Sequence, residues 1–177
     1  MKNLGIRSKF LLPVGLMLAI VIVTMSWVFV AYQSGQAEKG FRSKMETIAV
    51  CSGQMMHTSA AEYAEQHGLA FHRMLTGSTD TSSTDLVMAS RALTGFRRDA
   101  ALQALSQEAA DTSGSRIYSF APARVRDECI NCHTSYGLET FKNNKLGDLV
   151  AVFGVSGSTA PLRDQEAGIL TVALLMG

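Results

Sequence analysis

Apolar positions along the 177 residues fall into two kinds of pattern, unbroken blocks at the ends and periodic runs between them. Leu11 to Tyr32 holds no charged residue and is dominated by Leu, Val, Ile, Met and Phe, which suits a helix crossing the hydrocarbon core. Pro13 falls in its first turn, where a missing amide donor costs least. A cleaved signal peptide is the competing reading, but its apolar region usually runs to about 7–15 residues. No clear small-x-small cleavage site follows this one. Residues 168–177, GILTVALLMG, have a similar composition over about half the length a span needs. They read as the start of a second, truncated transmembrane helix, with a C-terminal core element as the alternative.

Between the blocks, Ser34 to Met74 lacks proline and carries Phe41, Met45, Ile48, Met55 and Met56 near helical spacing. This predicts one long helix or two in sequence, weakened locally at Gly53 and Gly68. A Gly, Ser, Thr and Asp loop follows over Thr76 to Thr84. Ser83 or Thr84 then caps a helix through Leu86, Val87, Ala89 and Leu93 that ends around Gly95. A further helix is expected over Phe96 to Ala110. From Arg116 the pattern turns extended, through Ile117, Tyr118 and Phe120 to Pro122 and again towards Arg126. After the turn-rich Asn143 to Asp148, Leu149 to Val155 reads as a buried strand. The fold class is therefore α+β: an N-terminal transmembrane helix, a long helix, then a small antiparallel sheet with flanking helices. The expected division is a cytoplasmic N-terminus over 1–10, the membrane helix over 11–32, an extracytoplasmic domain over 33–165 and the second span from 168.

Charge changes this picture little. Sixteen Lys and Arg against fifteen Asp and Glu leave a net +1, without the basic block that nucleic acid would require. Lys2, Arg7 and Lys9 before the membrane helix are matched by Lys39, Arg42 and Lys44 after it, so charge alone does not orient it.

The run Cys129-Ile130-Asn131-Cys132-His133 carries the most specific chemistry. Two cysteines separated by two residues reach both vinyl groups of one haem, and a histidine directly after the second presents a proximal ligand to the iron. One covalent haem c is the cofactor this motif predicts. A redox dithiol would require a strand-to-helix redox fold that the flanking pattern does not supply. A zinc knuckle needs a second ligand pair, and the remaining cysteine, Cys51, lies 78 residues earlier. A disulfide between such close cysteines is strained. Attachment of c-type haem takes place outside the cytoplasmic membrane, which puts the soluble part in the periplasm with its anchor in the inner membrane, as a single or double pass.

A proximal histidine leaves the opposite side of the iron open, and what fills it separates electron carriers from sensors. Cys51 has no evident disulfide partner; it is a distal candidate or a small buried hydrophobe. Met55, one helical turn on, is the weaker candidate, with core packing as its ordinary role. His57, His67 and His72 are further options that more often serve as surface or capping residues. Arg124 and Arg126 precede the motif and suit the haem propionates, unless they simply form an exposed strand face.

The stretch Arg126 to His133, with Gly147-Asp148-Leu149-Val150 on a later strand and Ala49-Val50-Cys51 upstream, resembles the PAS-like single-haem c-type sensory domains of bacterial chemoreceptors and sensor kinases. The resemblance extends over roughly Gln36 to Pro161. It implies a small antiparallel sheet with haem held between the sheet and the long N-terminal helix. It further implies Cys129 and Cys132 as thioether positions, His133 as proximal ligand and Cys51 as distal ligand, with Met55 as the substitute. A homodimer, a cytoplasmic signalling module beyond residue 177, and a redox partner or small gas as the signal are the partners it implies. An Ala-rich stretch, Arg97 to Ala110, stands where that family often has a Pro-rich one. The expected function is signal transduction by redox or gas sensing, as in chemotaxis, with no enzymatic activity. A membrane-tethered monohaem electron-transfer cytochrome is the alternative.

Overall fold

The computed structural model describes residues 6–54, 57–78, 80–111, 114–141, 143–164, 167–168 and 171, with backbone alone for 6–10, 53–54, 57–58 and 111. The fold is mixed α+β: a long, apolar N-terminal helix, then a four-stranded antiparallel open sheet with flanking helices. The elements in chain order are α1 (Ile6–Gln54), α2 (His57–Gln66), β1 (Ala70–Leu75), α3 (Thr84–Arg98), β2 (Leu105–Asp111), β3 (Gly114–Arg124), α4 (Asp127–Ser135) and β4 (Leu149–Ser158). Two compact units are present, one of residues 1–40 and 160–177, the other of Phe41–Thr159.

In the first unit, α1 contains the one described helix long and apolar enough to cross a membrane, with a mean hydropathy of 2.5 over its best window. Its large apolar side chains from Leu11 to Tyr32 are exposed apart from Val30, Leu11 by 71% and Met25 by 72%. Such extensive apolar surface is what lipid accommodates and water penalises. Of the suspected second span, Gly168 and Thr171 are helical and the remainder lies outside the described residues.

The second unit is built on the sheet order β1-β4-β3-β2. The central strands match the sequence pattern: β3 and β4 pair over Arg116↔Ser158 to Arg124↔Leu149 and are buried on both faces. Their register assigns the two faces. Ile117, Ala121 and Val155 pack with Met45, Ile48 and Ala49 of α1, while Tyr118, Phe120 and Val152 pack with Met88, Ala92, Leu93 and Phe96 of α3. Ser83 caps α3 as its spacing predicts, accepting from the Leu86 amide at 3.3 Å.

Two expectations fail, both at edge strands. The helix expected to reach Met74 stops at Gln66, and Ala70–Leu75 is a strand paired with β4. Gly68, at φ +68°, ends α2 with the Leu69 amide bonded to the Ala64 carbonyl and the Gly68 amide to that of Glu65. This 6→1 and 5→2 pair is a Schellman cap, a full stop where the propensity scale alone offers only a weak point. Similarly, no helix spans Phe96 to Ala110. α3 continues to Arg98, the Asp99 side chain accepts from the Ala101 amide at 2.9 Å, and Leu105–Asp111 pairs in register with β3. Leu, Gln, Glu and Ala favour a helix locally, but a partner strand outweighs such preferences of a few tenths of a kcal/mol per residue. The Ala-rich stretch is thus not a helical wall.

Candidate functional site

Cys129, Cys132 and His133 lie on α4, a short helix rather than the end of a strand. At 3.6 residues per turn the three fall within an arc of about 100°. The helix is well started and firmly stopped. Asp127 and Glu128 occupy its first turn, where the helix dipole favours negative charge. At its other end Gly137, at φ +69°, forms a second Schellman cap, with the Leu138 amide on the His133 carbonyl at 2.9 Å and the Gly137 amide on that of Thr134. Ser135 Oγ donates to the Cys132 carbonyl at 2.7 Å. The cap holds the backbone of His133 in a defined position.

What α4 lacks is a core of its own, since it has no buried residue. A nine-residue helix is marginal without packing on an apolar surface. Around it Tyr136, Leu138 and Leu146 are exposed by 71, 53 and 57%. Cys129 is half-buried, Cys132 exposed, and both thiols are free. The His133 ring packs on Phe141 at 4.5 Å between centroids, and its Nδ1 is buried with no hydrogen-bond partner. Among the described residues no cluster of three or more His, Cys, Asp and Glu gathers to hold a bare metal ion.

Beside the start of α4 lies a cleft of about 540 Å³, lined by Gln103, Pro122, Arg124, Val125, Arg126, Asp127, Glu128, Leu146 and Gly147. The loop over it is tied down where α4 begins, by the Gly147 amide on the Val125 carbonyl and the Val125 amide on that of Asp148, both at 2.9 Å. Arg126 is exposed at the helix start. Arg124 has a structural role that the sequence did not reveal: its guanidinium donates to the Phe96 carbonyl at 2.9 Å and to that of Gly147 at 3.3 Å. Its Nε remains buried without an acceptor.

Cys51 is half-buried near the end of α1. Phe41 of the same helix stands against Gly157, opposite Ile117, and Glu46 accepts from Ser106 Oγ at 2.8 Å, beside Ser119. The helix thus advances along β3 towards its Arg124 end, the end from which α4 departs. Cys51 and the Cys-x-x-Cys-His helix therefore lie towards the same end of the sheet. Met55 lies outside the described residues, as does the side chain of His57. The other two histidines are engaged elsewhere: His67 Nδ1 bonds its own helix at the Tyr63 carbonyl, at 2.8 Å, and His72 belongs to a network on the α3 face of the sheet.

No family model, no curated protein and no solved structure matches this chain.

Proposed function

We propose that this chain is a membrane-anchored haem c sensory domain of the periplasm, with haem joined to α4. The observation that carries the reading is α4 itself, a short, doubly anchored helix without a buried residue that presents two free thiols and a histidine on one face. The residues fit the group. Cys129 and Cys132 would hold it, each thiol adding across one vinyl with sulfur to one carbon and hydrogen to the other, and His133 would offer its imidazole to the iron. Exposed Tyr136, Leu138 and Leu146 supply apolar cover, which gives α4 the packing it lacks. Arg124 and Arg126 both line the cleft, which suits a propionate there. When bound, haem supplies one-electron chemistry and a position for a diatomic ligand.

Cys51 is the residue we assign to the distal side. A thiolate there donates electron density and lowers the potential. α1 is a single unbroken helix from the apolar stretch to Cys51, so a change at that thiol would act on the same helix. An electron-transfer cytochrome is the second reading, favoured by the exposure of Cys132 and the apolar residues around α4, which would leave a haem edge open to a partner.

The test is expression with the c-type maturation machinery, followed by a haem-stained denaturing gel and oxidised and reduced spectra. A covalent band is expected for the wild type and none for the Cys129→Ala, Cys132→Ala double variant. No band in the wild type sinks the proposal. A spectrum altered in Cys51→Ala, with ligand exchange on reduction, supports the sensor. Unchanged six-coordinate iron in both oxidation states and no gas binding supports the electron carrier.

A further inference from the structure

The sheet face turned to α3, opposite the one that α1 covers, ends in a polar cluster. The register puts Ser156 of β4 opposite Tyr118 of β3, with Arg116 of β3 and His72 of β1 diagonal to it on either side. Ser156 is fully buried, and its hydroxyl meets both, an Arg116 terminal nitrogen at 2.9 Å and His72 Nε2 at 2.7 Å. Arg116 can only donate, so the Ser156 oxygen accepts from it, and the Ser156 hydrogen has Nε2 of a neutral ring as its acceptor. His72 then carries its proton on Nδ1, which lies 3.7 Å from Asp85 Oδ2, too far for a hydrogen bond. Asp85, in the first turn of α3, takes the Tyr118 hydroxyl on its other oxygen at 2.8 Å. Donors already outnumber acceptors here. Arg116 Nε and Nε2 of Gln107, the residue across from Tyr118 on β2, are buried without an acceptor. A proton on His72 Nε2 adds one more donor. Ser156 would then accept twice, from two cations, and its own hydrogen would be stranded inside the fold. Among the described residues around the ring, Asp85 is the one anion, and it is exposed enough to close the remaining distance.

We propose that His72 is an acid-sensitive latch: protonation moves it from Ser156 of β4 to Asp85 of α3, exchanging a strand-to-strand bridge for a strand-to-helix one. β1 is an edge strand with β4 as its single neighbour in the sheet, so loss of the Ser156 bridge loosens it on the α3 side. The groups around the ring set the resting state. Burial holds the His72 pKa below the ordinary imidazole range, Asp85 opposes that shift and Arg116 reinforces it. Tyr118, Phe120 and Ser156 are the remaining neighbours of the ring. The latch is therefore closed at neutral pH and opens as the pH falls. It does not depend on haem.

The test is nuclear magnetic resonance of the full detergent-solubilised chain with isotope-labelled histidine, titrated from about pH 8 to about pH 5 beside hydrogen exchange corrected for intrinsic rates. His72 is the signal missing from His72→Gln. At the upper end of the titration its ring is expected as the Nδ1–H tautomer. As it takes up a proton, protection of Ala70–Leu75 should fall about tenfold, the worth of one buried hydrogen bond, with no such step in His72→Gln. Asp85→Asn should move the His72 midpoint down, because it removes the anion that receives the charged ring. Arg116→Met, which removes the competing cation, and Ser156→Ala, which removes the bond to the neutral ring, should both move it up. Any one of the three suffices should another fail to fold. An Nε2–H tautomer at the start, a midpoint that the substitutions leave in place, or β1 protection indifferent to the titration overturns the proposal.

Discussion

Arg124 offers the sharpest test of how the cleft is built. The last four carbonyls of a helix have no intrahelical donor, and Phe96 is among them on α3. Arg124 supplies one at 2.9 Å and spans to the Gly147 carbonyl at 3.3 Å. Arg124→Met keeps much of the alkyl packing and removes the donors. Losing a part-buried hydrogen bond from a charged group costs about 1.5–3 kcal/mol. Losing a positive charge at a helix C-terminus adds about 0.3–1 kcal/mol, whereas the longer, exposed Gly147 bond contributes little. A destabilisation of about 2–3 kcal/mol follows, which corresponds to a fall in melting temperature of roughly 10 °C. Thermal unfolding by circular dichroism measures the total, and hydrogen exchange locates it, because protection should drop in the last turn of α3 and in the 145–148 loop. A loss below about 0.5 kcal/mol, typical of a surface change, or unchanged exchange at Gly95 to Arg98, would refute the reasoning.

Gly154 and His72 carry two further predictions. A Cβ at Gly154 meets the ring of fully buried Phe120 and lies 2.9 Å from the Ser119 carbonyl, so Gly154→Ala should cost about 1–3 kcal/mol in denaturant unfolding. Gly77→Ala, with nothing within 4 Å, should stay within about 0.5 kcal/mol, and equal effects would remove the packing argument. For His72, a folded-state pKa below 6.5 means that the unfolded chain binds the proton more readily. The stability it contributes is complete above that value and lost as pH falls through the lower folded one. Stability measured from about pH 7 to pH 5 should thus fall more steeply in the wild type than in His72→Gln, and parallel curves would contradict the assignment.

Several parts of the chain were legible because their signal is local. The apolar run from Leu11 to Tyr32, the Ser83 cap and the twice-buried strands β3 and β4 carry burial or capping in their own residues. The helix that carries Cys129, Cys132 and His133 was not legible in this way; their spacing puts them on one face only once α4 has formed. The edges were not legible: Ala70–Leu75 and Leu105–Asp111 are rich in good helix formers and become strands because β4 and β3 offer them a ladder. The sequence also left Arg124 with a choice of roles, which a carbonyl 28 residues away decided in part.

The apolar helix, the Ser83 cap and the two central strands were thus set by neighbours along the chain. Only the tertiary structure decided that α4 stands without a core, that Cys51 lies towards the same end of the sheet, and that Arg116 and Gln107 share unspent donors. Those facts arise from strand register and helix direction, which bring together residues between nine and about eighty positions apart and leave no mark on either one alone.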